Sequence, residues 1–172
     1  MIPTVIGVDP SITATGLALS DGSLITVGGK ADRGDDRLLD IACAMGTACY
    51  DADLVVIEDL PTHAHGAGTT GMVQGVIRLM CLRAGVPYAL VTAATLKKYA
   101  TGSGAAGKAD MRMALYKRTG TDVRDDNQCD AWWLRAAGLE HLGHAVVKLP
   151  AAQVAALAKV QWPTVAERGA AA

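Results

Sequence analysis

The sequence predicts an α/β protein in which an antiparallel three-strand meander continues into parallel strands of one mixed sheet, flanked by helices. Three observations support this prediction: β-rich apolar segments open the chain, a four-residue apolar run lies at 54–57, and helical spacing dominates from residue 92 onward. A length of 172 residues corresponds to about one domain. We expect residues 1–166 to form that domain and residues 167–172 to be a disordered tail.

The first sixty residues contain four predicted strands and one predicted helix. The three strands of the meander are predicted at 2–9, 14–20 and 23–29. Asp21-Gly22, between the last two, is a hairpin turn signal. Apolar residues at helical spacing predict a helix over 34–50. The run at 54–57 is apolar on both faces, which is typical of a central strand covered on both sides.

The remaining chain is predicted to be mainly helical. A loop rich in glycine, histidine and threonine is expected at 62–71, before a helix at 72–84 and a short strand at 87–91. Four further helices are predicted at 92–100, 109–118, 126–142 and 151–160. The first two of these are separated by a flexible glycine-rich loop at 102–107.

Composition excludes several classes of protein. The chain is 51% hydrophobic with a mean hydropathy of +0.24, which is too apolar for a disordered protein. No run reaches 18 uninterrupted apolar residues, so no membrane-spanning helix is expected, and the first residues lack the pattern of a signal peptide. The four cysteines are scattered without a C-x-x-C pair, which argues against a zinc site and favours a reducing, cytoplasmic location.

Charge is distributed unevenly although the net charge is only −1. Residues 32–59 carry eight acidic residues and two arginines, whereas residues 97–124 carry seven basic residues and two aspartates. An acidic centre that binds metal ions, next to a basic segment, suits a polyanionic substrate such as a nucleic acid.

Acidic residues stand where the predicted sheet would place a ligand site. Asp9 ends the first strand and Glu58 ends the apolar strand, and open α/β sheets bind ligands at the carboxyl ends of their strands. Asp126 and Asp130 are spaced i, i+4 and would project from one face of the helix predicted at 126–142. Asp125 is the expected N-cap of that helix, with Gln128 as its capping-box partner.

Carboxylates from distant segments repel one another unless a cation lies between them. Oxygen ligands favour Mg²⁺ or Mn²⁺ over Zn²⁺, so we predict a metal site formed by Asp9, Glu58, Asp126 and Asp130. Two such ions about 4 Å apart would bridge a phosphodiester, one activating a water molecule and the other stabilising the leaving oxygen. The residues therefore predict metal-assisted hydrolysis of phosphodiesters.

Basic residues flank the glycine-rich loop. Lys108 is a candidate catalytic residue that would neutralise charge on the scissile phosphate. Lys97 and Lys98 are candidates for binding the flanking phosphates, and Arg112 is a further candidate for binding DNA.

Several motifs together resemble a known family. They are Gly7-Val8-Asp9-Pro10-Ser11 with Thr15-Gly16, then Val56-Ile57-Glu58, then Leu96-Lys97-Lys98 with Thr101-Gly102-Ser103-Gly104 and Lys108, then Asp130-Ala131. Their order and spacing over residues 4–143 resemble those of the RuvC family of Holliday junction resolvases. No single motif is specific, but the combination is.

The resemblance implies a ribonuclease H-like fold, a homodimer, dependence on Mg²⁺ or Mn²⁺ without a small-molecule cofactor, and paired nicks across a four-way DNA junction. By the same resemblance, Asp9, Glu58 and Asp130 are catalytic metal ligands. Lys108 and Lys97 match basic positions that contact DNA near the scissile phosphate. The apolar helix at 72–84 is a candidate dimer surface, through Met72, Val73, Val76, Leu79 and Met80, or else it belongs to the core.

The chain departs from the family pattern at two positions. The family commonly has a carboxylate or a histidine three residues before the last aspartate, where this chain has Asn127, and we expect Asp126 to replace it. An aromatic residue often follows the family's glutamate by three positions, where this chain has Pro61, with His63 and His65 as alternatives. The second departure leaves open a broader specificity that includes forks or flaps.

The residues also suggest three alternative functions. The acidic site is also compatible with a ribonuclease H-like enzyme that acts on RNA. Asn127 would be compatible with a junction-binding protein that does not cleave. The opening motif also resembles the phosphate loop of the actin and sugar-kinase superfamily, but that architecture needs two such domains, which 172 residues do not accommodate.

Overall fold

The computed structural model describes residues 2–30, 33–60 and 67–165. Its strands are β1 (Val5–Asp9), β2 (Thr15–Ala18), β3 (Leu24–Val27), β4 (Leu54–Asp59) and β5 (Tyr88–Thr92). Its helices are α1 (Asp36–Cys49), α2 (Ala67–Ala84), α3 (Ala93–Thr101), α4 (Lys108–Thr119), α5 (Asp126–His141) and α6 (Ala151–Val154), the last continued by a 3₁₀ turn over Ala155–Lys159. No helix in these ranges has the length and apolarity needed to cross a membrane.

The five strands form one sheet in the order β3-β2-β1-β4-β5. The first three strands pair antiparallel, whereas β4 pairs parallel with β1 on one side and with β5 on the other. The hairpin predicted at Asp21-Gly22 is present, with two backbone hydrogen bonds of 2.9 Å, one from Leu19 to Ser23 and one from Gly22 to Leu19. The predicted mixed sheet with an antiparallel meander is therefore confirmed.

Helices cover both faces of the sheet, and strand alternation divides the core between them. On β1 and β4, Ile6, Val8, Val55 and Ile57 pack in the cluster that contains α1 and α2 residues. The residues that alternate with them along the strands, including Val5 and Val56, pack on the other face of the sheet with residues of α3, α4 and α5. The odd-numbered positions of β1 and the even-numbered positions of β4 therefore face α5.

Helix α5 lies unusually close to the sheet because two of the strand residues below it are glycines. A Cβ atom at Gly7 would lie 2.0 Å from the carbonyl oxygen of Ala131, and one at Gly16 would lie 2.2 Å from the carbonyl oxygen of Asn127. The obstructing atoms belong to the helix backbone, so no side-chain rotation can make room. These two positions therefore fix the height of the first turns of α5 above β1 and β2.

The observed elements differ from the sequence predictions mainly at their ends. Helix α2 begins at Ala67, five residues before the predicted start, so the expected loop at 62–71 is wrong in its second half. The helix predicted at 151–160 is a single α-helical turn followed by a 3₁₀ turn. Beyond it, the ring of Trp162 stacks on His141 of α5 at 4.3 Å, which attaches the last described segment to the core.

We predict that Gly16→Ala destabilises the fold by about 3 kcal/mol, the upper end of the usual cost of overpacking, because the new methyl group meets backbone atoms. Urea unfolding followed by circular dichroism measures the change. Gly68→Ala on α2 is the matched control: a Cβ there meets nothing within 4 Å, so the free energy of unfolding should stay the same or rise slightly. Equal stability of the two variants would contradict the close packing of α5.

Candidate active site

Asp9 and Glu58 lie side by side at the carboxyl edge of the sheet. The parallel register pairs Val8 with Ile57, so the next residues, Asp9 and Glu58, are neighbours on strands about 4.8 Å apart. Both positions belong to the set of strand residues that face α5. The sheet therefore points two acidic side chains, from segments 49 positions apart in the sequence, towards one helix.

Helix α5 adds the third and fourth carboxylates. Its backbone rests on Gly7 and Gly16, which places its first two turns directly above the end of β1. The charges of Glu58 and Asp130 both act on Asp9, and the charge of Asp126 acts on Asp130. We refer to Asp9, Glu58, Asp126 and Asp130 as the carboxylate site.

Burial and mutual repulsion disfavour the charged forms of these acids. Burial, followed by the charges of Glu58 and Asp130, raises the pKa of Asp9 to about 8. Burial and the charge of Asp130 raise the pKa of Glu58 to about 7. Burial raises the pKa of Asp130 to about 6, with Lys97 opposing and Asp126 adding to the shift. The fold therefore brings these charges together at a cost in free energy.

The donor set of the carboxylate site fits a hard divalent cation. The hydrogen bonds of the described residues include none to the side chains of Asp9, Glu58 or Asp130, so their oxygen atoms are free to bind a ligand. Within the same residues, no three acidic, histidine or cysteine side chains already stand in an arrangement that would hold a metal ion. The strands and α5 place the carboxylates on one edge of the sheet, and the side chains would have to move closer together to hold a cation.

Two lysines border the carboxylate site. Lys108, the first residue of α4, forms a 2.9 Å ion pair with Asp126. The hydrogen bond with Asp126 and the negative charge of Asp126 raise the pKa of the Lys108 ammonium group. Lys97 on α3 is close enough to Glu58 and Asp130 to oppose the rise of their pKa values. The two positive charges therefore flank the acids from different helices.

The other predicted DNA-binding residues lie apart from the acids. Lys98 is exposed and lines a groove with Gly104 and Lys159, away from the carboxylates. Arg112 donates hydrogen bonds to the carbonyl oxygen of Val123, at 2.9 Å, and to Asp122, at 3.3 Å. Arg112 thus holds the loop that leads into α5, which the sequence reasoning did not foresee.

The start of α5 shows one confirmed and one wrong prediction. Asp125 is the N-cap, and its carboxylate accepts hydrogen bonds from the backbone N–H groups of Asn127 and Gln128. The side chain of Gln128 does not return to the cap as a capping box requires, because its amide donates instead to Thr26 on β3, at 2.9 Å.

Two polar residues that support the site, Gln74 and Thr15, were not among the predicted site residues. Gln74 of α2 is 4% exposed and donates to the backbone oxygen of Glu58 at 3.1 Å. Thr15 is fully buried, and its hydroxyl bonds both the N–H and the carbonyl of Ser11, which closes the loop after Asp9. Gln74 could have been found as a polar residue inside an apolar helical stripe. The family's aromatic position corresponds to Pro61, with His63 and His65 as the alternatives. All three lie outside the described residues.

Known proteins resemble this chain in sequence and in fold. A crossover junction endodeoxyribonuclease RuvC from Acidiphilium cryptum (strain JF-5) is 28% identical over 162 residues, which cover 86% of this chain and 96% of the relative. Another, from Paenarthrobacter aurescens (strain TC1), is 31% identical over 118 residues, 60% of this chain and 62% of the relative. No protein-family model matches the chain.

Solved structures match the fold over most of its length. A Thermus thermophilus RuvC structure superposes with a TM-score of 0.67 at 21% identity, covering 83% of this chain and 98% of the other. A structure of T. thermophilus RuvC in complex with Holliday junction substrate matches with the same TM-score and coverage at 18% identity.

The five-stranded sheet in this order, flanked by helices, is a ribonuclease H-like fold, and it bears acidic residues at the ends of β1 and β4. In sequence the chain is similar to RuvC proteins, over 86% of its length in one of the two curated relatives. Its fold is also similar to that of a solved RuvC structure.

We predict that Asp9→Asn stabilises the metal-free protein. A carboxylate whose pKa is raised on folding favours the folded state less as pH rises, so the stability of the metal-free wild type should fall between about pH 4 and pH 8. Replacing Asp9 with a neutral amide removes that penalty, so the variant should be more stable at pH 8 and gain less at pH 5.

Thermal unfolding in EDTA at the two pH values measures this difference, and each kcal/mol corresponds to about 2–4 °C in a domain of this size. Asp21→Asn, in the hairpin turn, is the control: hydrogen bonds from Ser23 lower the pKa of Asp21, so its loss should not stabilise the protein. A lower melting temperature for Asp9→Asn than for wild type at pH 8 would contradict the electrostatic account.

Proposed function

We propose that the protein is a metal-dependent endonuclease that resolves four-way DNA junctions by paired nicks. The observation that carries the proposal is the convergence of Asp9, Glu58 and Asp130, with Asp126, on one edge of the sheet beside two lysines. The curated relatives are named crossover junction endodeoxyribonucleases, and a structural neighbour is a complex with a Holliday junction substrate. Both support this activity and substrate.

The carboxylates would hold Mg²⁺ or Mn²⁺ through their oxygen atoms. We propose two ions, because two are needed to bind both the attacking and the leaving oxygen of one phosphodiester. When bound, the ions supply an activated water molecule and stabilise the charge on the leaving oxygen. Asp9 and Glu58 are rigidly placed because each ends a strand that is hydrogen-bonded on both sides. Asp130 is placed by the close packing of α5 over those strands.

Lys108 and Lys97 would act on the phosphates. In the free protein the ammonium group of Lys108 is paired with Asp126. We propose that Lys108 turns from Asp126 to the scissile phosphate when DNA is bound, and that this frees the Asp126 carboxylate to complete the metal site in place of Asn127. Lys97, which lies on α3, would bind a neighbouring phosphate. Lys98 is exposed away from the carboxylates, and Arg112 is bonded to the loop before α5, so we propose that both would contact DNA away from the scissile phosphate.

The test of the proposed function is a panel of labelled substrates, incubated with Mg²⁺ or with Mn²⁺: a four-way junction, a three-way fork, a flap, a duplex and an RNA–DNA hybrid. We expect paired nicks in the four-way junction. Asp130→Asn should abolish cleavage, a loss of more than about 100-fold, while retaining junction binding in a gel-shift assay. The matched control is Glu140→Gln, at the far end of the same helix.

The alternatives give different patterns on the same panel. Preferential cleavage of forks and flaps would indicate the broader branched-DNA nuclease that Pro61 suggested, and cleavage of the hybrid would indicate a ribonuclease H activity. Binding of the junction without cleavage under either metal would indicate a non-catalytic junction-binding protein. Any of these patterns would overturn the proposal of a junction resolvase.

We further propose that the protein acts as a homodimer in a reducing cytoplasm, which would present one carboxylate site to each of two DNA strands. Of the residues predicted for the dimer surface, Val73 is buried, whereas Val76 and Met80 are partly buried against the core. Met72 and Leu79 are exposed, at 49% and 52%. The exposed apolar face of α2, which also includes Leu82, therefore supports dimerisation through this helix.

We predict that Leu79→Glu converts a dimer to a monomer because it would bury a charge in an apolar contact. Sedimentation velocity on the purified variants measures the oligomeric state. Met113→Glu is the control, since Met113 is similarly exposed, at 50%, but lies on α4. A wild type that sediments as a monomer at micromolar concentration, or a Leu79→Glu variant that remains a dimer, would contradict this interface.

A further inference from the structure

The side-chain hydroxyl of Thr26 on edge strand β3 is hydrogen-bonded to two residues at the start of α5. Thr26 Oγ1 donates a hydrogen bond to Asp125 Oδ2 at 2.7 Å, and Gln128 Nε2 donates to Thr26 Oγ1 at 2.9 Å. The other oxygen of Asp125, Oδ1, accepts from the backbone N–H groups of Asn127 and Gln128, at 2.9 and 3.3 Å. The hydroxyl of Thr26 thus links the N-cap and the first turn of α5, about one hundred residues away in the sequence.

Strand geometry accounts for the direction of this contact. Thr26 alternates with Ile25, which lines a groove beside α1 residues on the other face of the sheet. Leu24, on the same face as Thr26, packs with the cluster that contains α5. Thr26 pairs with Gly16 across the antiparallel ladder, and Gly16 is one of the two residues that set the height of α5. The hydroxyl therefore acts at the place where the helix rests on the sheet.

The segment held by Thr26 carries the last two acids of the carboxylate site. Asp126 directly follows the N-cap, and Asp130 lies one turn beyond it. On its other side the segment is held by α4, where Arg112 bonds the carbonyl oxygen of Val123 and Lys108 pairs with Asp126. In the proposed reaction Lys108 moves to DNA, so the α4 side loosens as the substrate binds. The contact from β3 does not depend on that movement.

Thr26 also restrains a further acid near the carboxylate site. The charge of Asp125 reaches Asp9, although the Asp125 carboxylate itself is fully engaged with Thr26 and the helix N-terminus. Without the hydroxyl, one oxygen of Asp125 would lose its partner, and the amide of Gln128 would lose its acceptor. The N-cap carboxylate would then be free to rotate beside the proposed metal ligands, and the first turn of α5 would lose one of its restraints.

We propose that Thr26 is a positioning residue of the carboxylate site: through Asp125 and Gln128 its hydroxyl fixes the N-terminal turn of α5, and thereby sets the affinity of the site for divalent cations. This proposal rests on the function proposed above only for the identity of the reaction. The binding of metal ions can be measured without any DNA substrate.

The experiment compares Thr26→Val, which keeps the shape and β-branching but removes the hydroxyl, with Thr26→Ser, which keeps the hydroxyl. Mn²⁺ binding to each protein is measured by the electron paramagnetic resonance signal of the free ion during titration. We expect Thr26→Val to bind Mn²⁺ about tenfold more weakly and Thr26→Ser to remain within about twofold of wild type. Ile25→Val, on the opposite face of β3, is the matched control and should bind as wild type does.

A second measurement separates positioning from general stability. If junction cleavage is titrated with Mn²⁺, Thr26→Val should need about tenfold more metal ion for half-maximal rate while approaching the wild-type rate at saturation. Equal Mn²⁺ affinity of the valine and serine variants would overturn the proposal, even if the valine variant melts at a lower temperature. If wild type binds Mn²⁺ but cleaves no substrate, the proposed function fails while the titration still decides the role of Thr26.

Discussion

The contact of α5 with the backbone of β1 and β2 is the constraint on which the site depends. Gly7 and Gly16 have no side chains to separate the helix from the sheet, and carbonyl oxygens of the helix occupy the space where Cβ atoms would lie. Because this contact is made between backbones, it leaves little freedom in the height or register of the helix. Asp130 is consequently held over the ends of two strands whose acids point the same way. A larger residue at either glycine would lift the helix and separate the carboxylates.

This packing opposes an electrostatic cost. The pKa values of Asp9, Glu58 and Asp130 are all raised, because burial and proximity disfavour their charges. The apolar contacts on both faces of β1 and β4 hold the acids in place against this repulsion. A site of this kind is less stable when empty than a neutral one would be, and it gains stability when a cation binds. The same acids that lower the stability of the empty protein would therefore be the ones that bind a cation in the proposed site.

Polar contacts from several elements support the acids without belonging to the reacting set. Gln74 holds the backbone at Glu58 from α2, Thr15 closes the loop after Asp9, and Thr26 holds the cap of α5 from the edge strand. Gln74 and Thr26 bind residues that are distant in the sequence, and Gln74 and Thr15 are buried. Lys108 differs, since it is bound to Asp126 and would have to change partners before it could contact a phosphate of the proposed substrate. The acids are thus fixed in the free protein, whereas this basic group is not.

The sequence alone determined the mixed sheet, the hairpin, the N-cap at Asp125 and the candidate acids, because these follow from local periodicity, turn chemistry and the ends of strands. It also misplaced the start of α2 and assigned Gln128 to a capping box, since a local pattern does not reveal a competing partner on a distant strand. The family resemblance pointed to Lys97, but the physical reason why it and not Lys98 faces the acids lies in the tertiary structure. Lys97 and Lys98 are adjacent in sequence, but consecutive residues of a helix point about 100° apart. The roles of Gly7, Gly16 and Thr26 likewise depended on what lies across the sheet, which no single segment encodes.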